Sequence, residues 1–145
     1  MPFTLEDFVT ESNRIEGLPA ASEIEITAHQ EFLALLEITV ESLAHLVAVI
    51  AGAPLRAHVG MDVTVGLHRP PPGGPKVVGD LEVLLRAVKE LRLGARDAHR
   101  HYETLHPFMD GNGRSGRALW LWQMGGIHNV PLGFLHTWYY QSLNK

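Results

Sequence analysis

The chain has 145 residues, with 12 Lys and Arg against 16 Asp and Glu, a net charge of -4 and 46% apolar residues. That length and composition fit one domain able to bury a single core, and they exclude a disordered chain. With no cysteine, disulfides, thiolate nucleophiles and thiolate zinc sites are ruled out, and the acidic balance argues against a nucleic-acid partner, which requires a basic face.

The opening MPFTLEDF lacks the basic and apolar regions of a secretion signal. No apolar run approaches the ~20 residues of a bilayer span, so a cytoplasmic protein without membrane contact is expected. Thr4 is an expected N-cap, with Asp7 at the third helical position and Phe3 and Phe8 spaced as a hydrophobic staple. A helix over about residues 5 to 16 should stop at Gly17, ahead of Pro19. From Glu23 to Ala51 the apolar positions Phe32, Leu35, Leu36, Val40, Leu43, Leu46, Val47 and Ile50 recur at threes and fours. One long helix is expected there.

Asp62 to Leu67 reads DVTVGL and is followed by RPPPGGP, which excludes helix and suggests a two-stranded flap over residues 62 to 78, with Lys76 to Val78 as the return strand. Asp80 should cap a helix striped by Leu81, Leu84, Leu85, Val88 and Leu91, ended by Gly94. Further helices are expected from Ala95 to Leu105, from Arg114 to Met124 and from about Leu132 onward. The architecture is therefore a single all-α domain with one β insertion. His99 and His101 fall on different helix faces and read as ordinary helix residues; Trp120, Trp122 and Met124 read as core. The long helix and the tryptophans could serve a homodimer as easily as a core.

Residues 106 to 117 read HPFMDGNGRSGR. Pro107 drives His106 out of the helical region, setting an imidazole where one helix exits. Gly111, Asn112 and Gly113 precede the next helix, a turn that aims backbone N–H groups at an anion. Arg114 and Arg117, three apart on the first turn, oppose the helix dipole at about 0.3–1 kcal/mol each, a cost that a bound anion would explain. Asp110 cannot cage a cation alone, but Mg²⁺ takes one or two carboxylates and completes its shell with phosphate oxygens and water. A magnesium-polyphosphate ligand accounts for all of these features. Glu16, within SNRIEG, is the odd residue elsewhere, a carboxylate at the negative end of a helix.

The segment from His106 to Arg117 matches the signature of the Fic family, HxFx(D/E)GNGRxxR, and the chain resembles that family over nearly its whole length. The resemblance implies a Fic-like helical bundle that transfers AMP from ATP to a Ser, Thr or Tyr hydroxyl of a target protein, with Mg²⁺ as cofactor. By the same resemblance His106 is the general base, Phe108 anchors the loop and Asp110 holds the metal. Gly111, Asn112 and Gly113 surround the α- and β-phosphates, Arg114 contacts the β-phosphate and Arg117 orients the γ-phosphate. SNRIEG resembles the family's inhibitory motif, (S/T)xxxE(G/N), which implies that Glu16 pairs with Arg117 in place of the γ-phosphate while Ser12 helps to seat the helix. Tyr139, Tyr140 and Asn144 resemble residues beside the adenine, and the flap resembles the surface on which an extended target segment docks. Removal of AMP, a kinase-like transfer similar to the death-on-curing branch, and a non-catalytic nucleotide-binding module are the other readings. The second is disfavoured because that branch departs from GNGR.

Overall fold

A computed structural model describes residues 3–129, as six α-helices and a closing 3-10 turn: α1 (Leu5–Ile15), α2 (Glu23–Leu33), α3 (Val40–Ala51), α4 (Pro75–Lys89), α5 (Ala95–Leu105) and α6 (Asn112–Gln123). The expected all-α architecture is borne out. Tyr139, Tyr140, Asn144 and the helix expected from about Leu132 lie outside the described residues.

Local chemistry accounts for most helix ends. Thr4 Oγ1 accepts from Asp7 N (3.1 Å) while Asp7 Oδ2 accepts from Thr4 N (2.9 Å), a reciprocal capping box that satisfies two orphan donors. The other end of α1 closes as a Schellman turn: Leu18 N donates to Asn13 O, Gly17 N donates to Arg14 O, and Gly17 takes φ +73°. Glu16 is thereby fixed at the C-terminal cap.

Several expectations are corrected. Glu23 to Ala51 is two helices, because Ala34–Ile38 turn the chain and Thr39 with Ser42 caps a new start, Oγ1 accepting from Ser42 N at 3.1 Å. Leu36, read as part of the apolar stripe, is fully exposed at that corner. Lys76 to Val78 is no return strand: α4 starts at Pro75, where a missing N–H costs nothing, so Asp80 is interior to the helix rather than its cap. The expected two-stranded flap reduces to Val65 and His68 exchanging backbone hydrogen bonds of 3.0 and 2.9 Å around Gly66 and Leu67. Finally α4 ends at Lys89, with Leu91 in the left-handed region (φ +58°), and Gly94 is the N-cap of α5 rather than a terminator.

Helix α6 is the centre of the bundle. Its residues from Arg114 to Leu121 are buried, as a helix enclosed by others must be. On one side lies the main core, in which Leu43, Leu46, Val47, Leu81, Leu85, Tyr102 and Phe108 pack with Ala118 and Leu119. On the other, Phe8 and Val9 of α1 pack against Trp120 and Leu121 as a separate small cluster. Trp120 is thus spent inside the molecule, and Trp122 Nε1 donates to Leu35 O at 2.8 Å. Helix α5 lies close to α6 at Gly116, where a Cβ would stand 2.7 Å from Glu103 Oε1 and 3.0 Å from Tyr102 Cδ1. That close approach constrains how α5 and α6 meet on either side of residues 106 to 111.

Candidate active site

His106 ends α5 in the left-handed region, φ 52° and ψ 63°. Pro107 disfavours the right-handed helix at its neighbour, as the sequence leads one to expect, and holding a non-glycine residue left-handed costs about 1–3 kcal/mol. The imidazole Nδ1 lies 3.2 Å from Glu103 O. A carbonyl only accepts, so in the neutral ring Nδ1 carries the proton and Nε2 keeps the lone pair.

The loop beyond is locked by Phe108 and Asn112. Phe108 is fully buried, and Asn112 pins it from both sides: Phe108 N donates to Asn112 Oδ1 (2.9 Å) and Asn112 Nδ2 donates to Phe108 O (2.8 Å). The strip 54–56 zips against 107–109, with Arg56 N donating to Pro107 O (2.8 Å) and Met109 N to Pro54 O (3.0 Å). The Asn112 side chain therefore shapes the loop rather than facing a ligand. Asp110 is exposed, and its Oδ1 accepts from Gly111 N at 2.8 Å.

No side chain caps α6, so the N–H groups of Asn112, Gly113 and Arg114 present the positive end of that helix. They open onto a cleft of about 680 Å³ lined also by His106, Asp110, Glu103 and Glu16, and by Val63, Thr64 and Val65 of the loop between α3 and α4. A cleft of this size suits a nucleotide-sized ligand. Asp110 is a single carboxylate, and among the described residues no group of three or more His, Asp or Glu is placed to hold a metal. The donor set therefore fits Mg²⁺ only where phosphate oxygens complete the shell.

The two arginines do different things. Arg114 lines the cleft, yet its Nη1 donates to Ile50 O at 2.6 Å, while its buried Nε has no hydrogen-bond partner. Arg117 turns toward α1: Nε donates to Ser12 Oγ (2.7 Å), and Nη2 to Ser12 O (3.0 Å) and Glu16 Oε1 (3.0 Å). Its side chain is only 5% exposed, against 41% for Glu16. Burial pulls the Arg117 pKa down and the Glu16 carboxylate opposes that pull. Glu16 also lies over Gly113, where a Cβ would stand 2.5 Å from Oε1.

Glu16, Gly113, Arg114, Asp110 and His106 thus line one cleft, while Arg117 and Ser12 lie outside that lining and connect to it through Glu16. Three contributors are not apparent from the pattern. Asn13 ties α1 to its surroundings through Nδ2, which donates to Pro19 O and Glu25 Oε2, both at 3.1 Å. Glu103 is a cleft wall from the helix that ends in His106. Arg56, fully buried, reaches His106 from fifty residues away; a lone loop arginine carries no signal that separates it from a solvated one.

A family model described as Fic/DOC family matches residues 29–124. No curated protein and no solved structure matches the chain.

Proposed function

Because this chain belongs to the Fic/DOC family over residues 29–124, we propose that it is an autoinhibited protein adenylyltransferase, moving AMP from ATP to a Ser, Thr or Tyr hydroxyl of a target protein. The observation that carries the reading is the meeting, in one cleft, of an imidazole with its Nδ1 committed to Glu103 O and an uncapped helix N-terminus. The first is suited to take a proton, the second to hold phosphates.

ATP enters with its phosphates against the N–H groups of Asn112, Gly113 and Arg114 and the Arg114 guanidinium. Phosphoryl chemistry asks the protein chiefly for placement and charge neutralisation, and these groups supply both. Asp110 would hold Mg²⁺, which contributes further neutralisation of the phosphates when bound. The acceptor hydroxyl gives its proton to His106 Nε2 as its oxygen attacks the α-phosphorus. The bond from that phosphorus to the bridging oxygen breaks, and pyrophosphate leaves. An imidazole needs no large pKa adjustment to do this near neutrality.

Glu16 is the brake in this reading. Its carboxylate pairs with Arg117 at 3.0 Å, so the guanidinium that would orient the γ-phosphate is engaged from within. The target segment docks across the cleft near Val63–Val65. Tyr139, Tyr140 and Asn144 remain the proposed adenine neighbours.

The test is transfer of label from α-labelled ATP by wild type, Glu16→Gly and the Glu16→Gly, His106→Ala double variant, read on the protein itself and in a lysate. Strong labelling by the single variant alone is expected. Equal labelling by all three would end the proposal, and label carried over from γ-labelled ATP would replace it with phosphotransfer. Glu16-dependent loss of AMP from a modified target would replace it with the hydrolytic reading.

A further inference from the structure

Arg56 is a cation at 0% exposure; among the described residues no carboxylate stands within ion-pair distance of it, Asp62 being near enough only to oppose the fall in its pKa that burial causes. Its guanidinium is satisfied by four backbone carbonyls instead. Nε donates to His106 O (2.7 Å), Nη2 to Leu105 O (2.9 Å), and Nη1 to Pro71 O (2.7 Å) and Met61 O (3.2 Å). Its own backbone joins the same strip, N donating to Pro107 O and O accepting from Gly74 N (3.0 Å).

The first two acceptors are the last carbonyls of α5, the negative end of that helix, where a cation is stabilised and where unsatisfied acceptors would otherwise be buried. The other two belong to the loop between α3 and α4, the loop whose Val63, Thr64 and Val65 line the cleft. A planar fork with fixed donor directions can hold four acceptors in one register, which an ammonium cannot. The tip of the same loop is tied near the same helix end, through His68 Nε2 against Thr104 O at 2.9 Å.

From this arrangement we infer that Arg56 is a positioning residue for group transfer: it sets the left-handed exit of His106 and the acceptor-side loop at one fixed spacing. The inference rests on the proposed transfer reaction. Among the described residues none of these Arg56 hydrogen bonds goes to the α6 N-terminus, Arg114 or Arg117, so nucleotide binding and transfer should separate when it is changed. Holding the imidazole and the acceptor wall in register matters steeply, because displacement of about 1 Å can lower a rate 10²-fold.

The experiment uses the full chain in the Glu16→Gly background, with Arg56→Lys and Arg56→Met, each first shown folded by circular dichroism and a thermal melt. For Arg56→Met the transfer rate at saturating Mg-ATP should fall about 10²-fold, with Arg56→Lys intermediate. The calorimetric Kd for Mg-ATP should stay within about threefold, under 1 kcal/mol, and the His106 imidazole resonance should move in the NMR spectrum. A rate within twofold of the parent overturns the inference, as does a loss of rate matched by loss of ATP affinity. Failure of both variants to fold also overturns it, since Arg56 would then hold up the fold with no separable role. Should the Glu16→Gly parent transfer nothing, the transfer reading fails, while an unmoved His106 resonance would separately sink the Arg56 clamp.

Discussion

Arg117 illustrates how one buried side chain constrains its neighbours. A guanidinium withdrawn from water must have its N–H groups met, and here Ser12 and Glu16 meet them. Removing the Ser12 hydroxyl leaves Arg117 Nε without its acceptor in a buried setting, a loss of about 1–2 kcal/mol. If that loss falls on the seated form of α1, Ser12→Ala raises transfer about 5- to 30-fold over wild type, measured with α-labelled ATP. Activity no higher than wild type would separate Ser12 from the brake. Gly116 makes a purely structural prediction. An added Cβ meets Glu103 Oε1 at 2.7 Å and Tyr102 Cδ1 at 3.0 Å, so Gly116→Ala must displace the buried Glu103 carboxylate and shift the Tyr102 ring. Overpacking of this kind costs about 1–3 kcal/mol, which lowers the thermal midpoint by roughly 2–12 °C. An unchanged melt would mean that the two helices have slack to spare.

At the level of elements, α1 is a separable part. It rests on Phe8 and Val9 against Trp120 and Leu121, on Asn13 reaching Glu25, and on the Arg117 contacts. Phe8→Ala leaves Glu16 intact but removes the largest apolar anchor, a change worth about 3–5 kcal/mol where a Phe is fully buried. The expected result is transfer by a protein whose Glu16 is unaltered, together with faster proteolysis confined to residues 1–17; a silent variant with an intact α1 would count against control by helix seating. The ends of α1 were legible because caps are local: Thr4 and Asp7, or Asn13 and Gly17, lie within one turn of each other. The site was legible for a similar reason, since His106 to Arg117 is one contiguous run. The division between α2 and α3 escaped because both halves share one apolar period, and the Thr39–Ser42 cap inside it is a weak signal with Ser at the third position. The start of α4 escaped because Pro and Gly read as a turn when the same Pro can open a helix. Arg56 could not be read at all, since its four acceptors are backbone oxygens up to fifty residues distant.

Across the whole molecule, acid stability falls on the junction of α1, α2 and α6. His29 is buried on α2 with Nδ1 donating to Glu25 O at 2.7 Å. Burial pulls its pKa below 6.5; the Glu25 carbonyl and carboxylate resist, and Arg114 adds to the pull. The folded protein therefore keeps this ring neutral while the unfolded chain protonates it near pH 6.5. Below that value the unfolded state binds the extra proton, so the contribution of His29 is complete above about pH 6.5 and drains away as pH falls toward the lower folded value, at up to about 1.4 kcal/mol per pH unit. Carboxylates act in a different window. Burial works against ionised Glu25, but the Ser22 and Asn13 hydrogen bonds and Arg114 hold its pKa below 4.5, and the Thr4 bonds lower that of Asp7. Their contributions are present above about pH 4–4.5 and lost beneath it. Denaturant unfolding from pH 7 to pH 5 should accordingly show falling stability in wild type, and His29→Gln should remove about one proton's worth of that slope while leaving the steeper decline below pH 4.5 in place. The same slope in both proteins would mean that His29 is open to water in solution. The α2–α6 contact beside Arg114 would then be looser than its packing indicates, and with it the seat of Arg114 in the cleft lining.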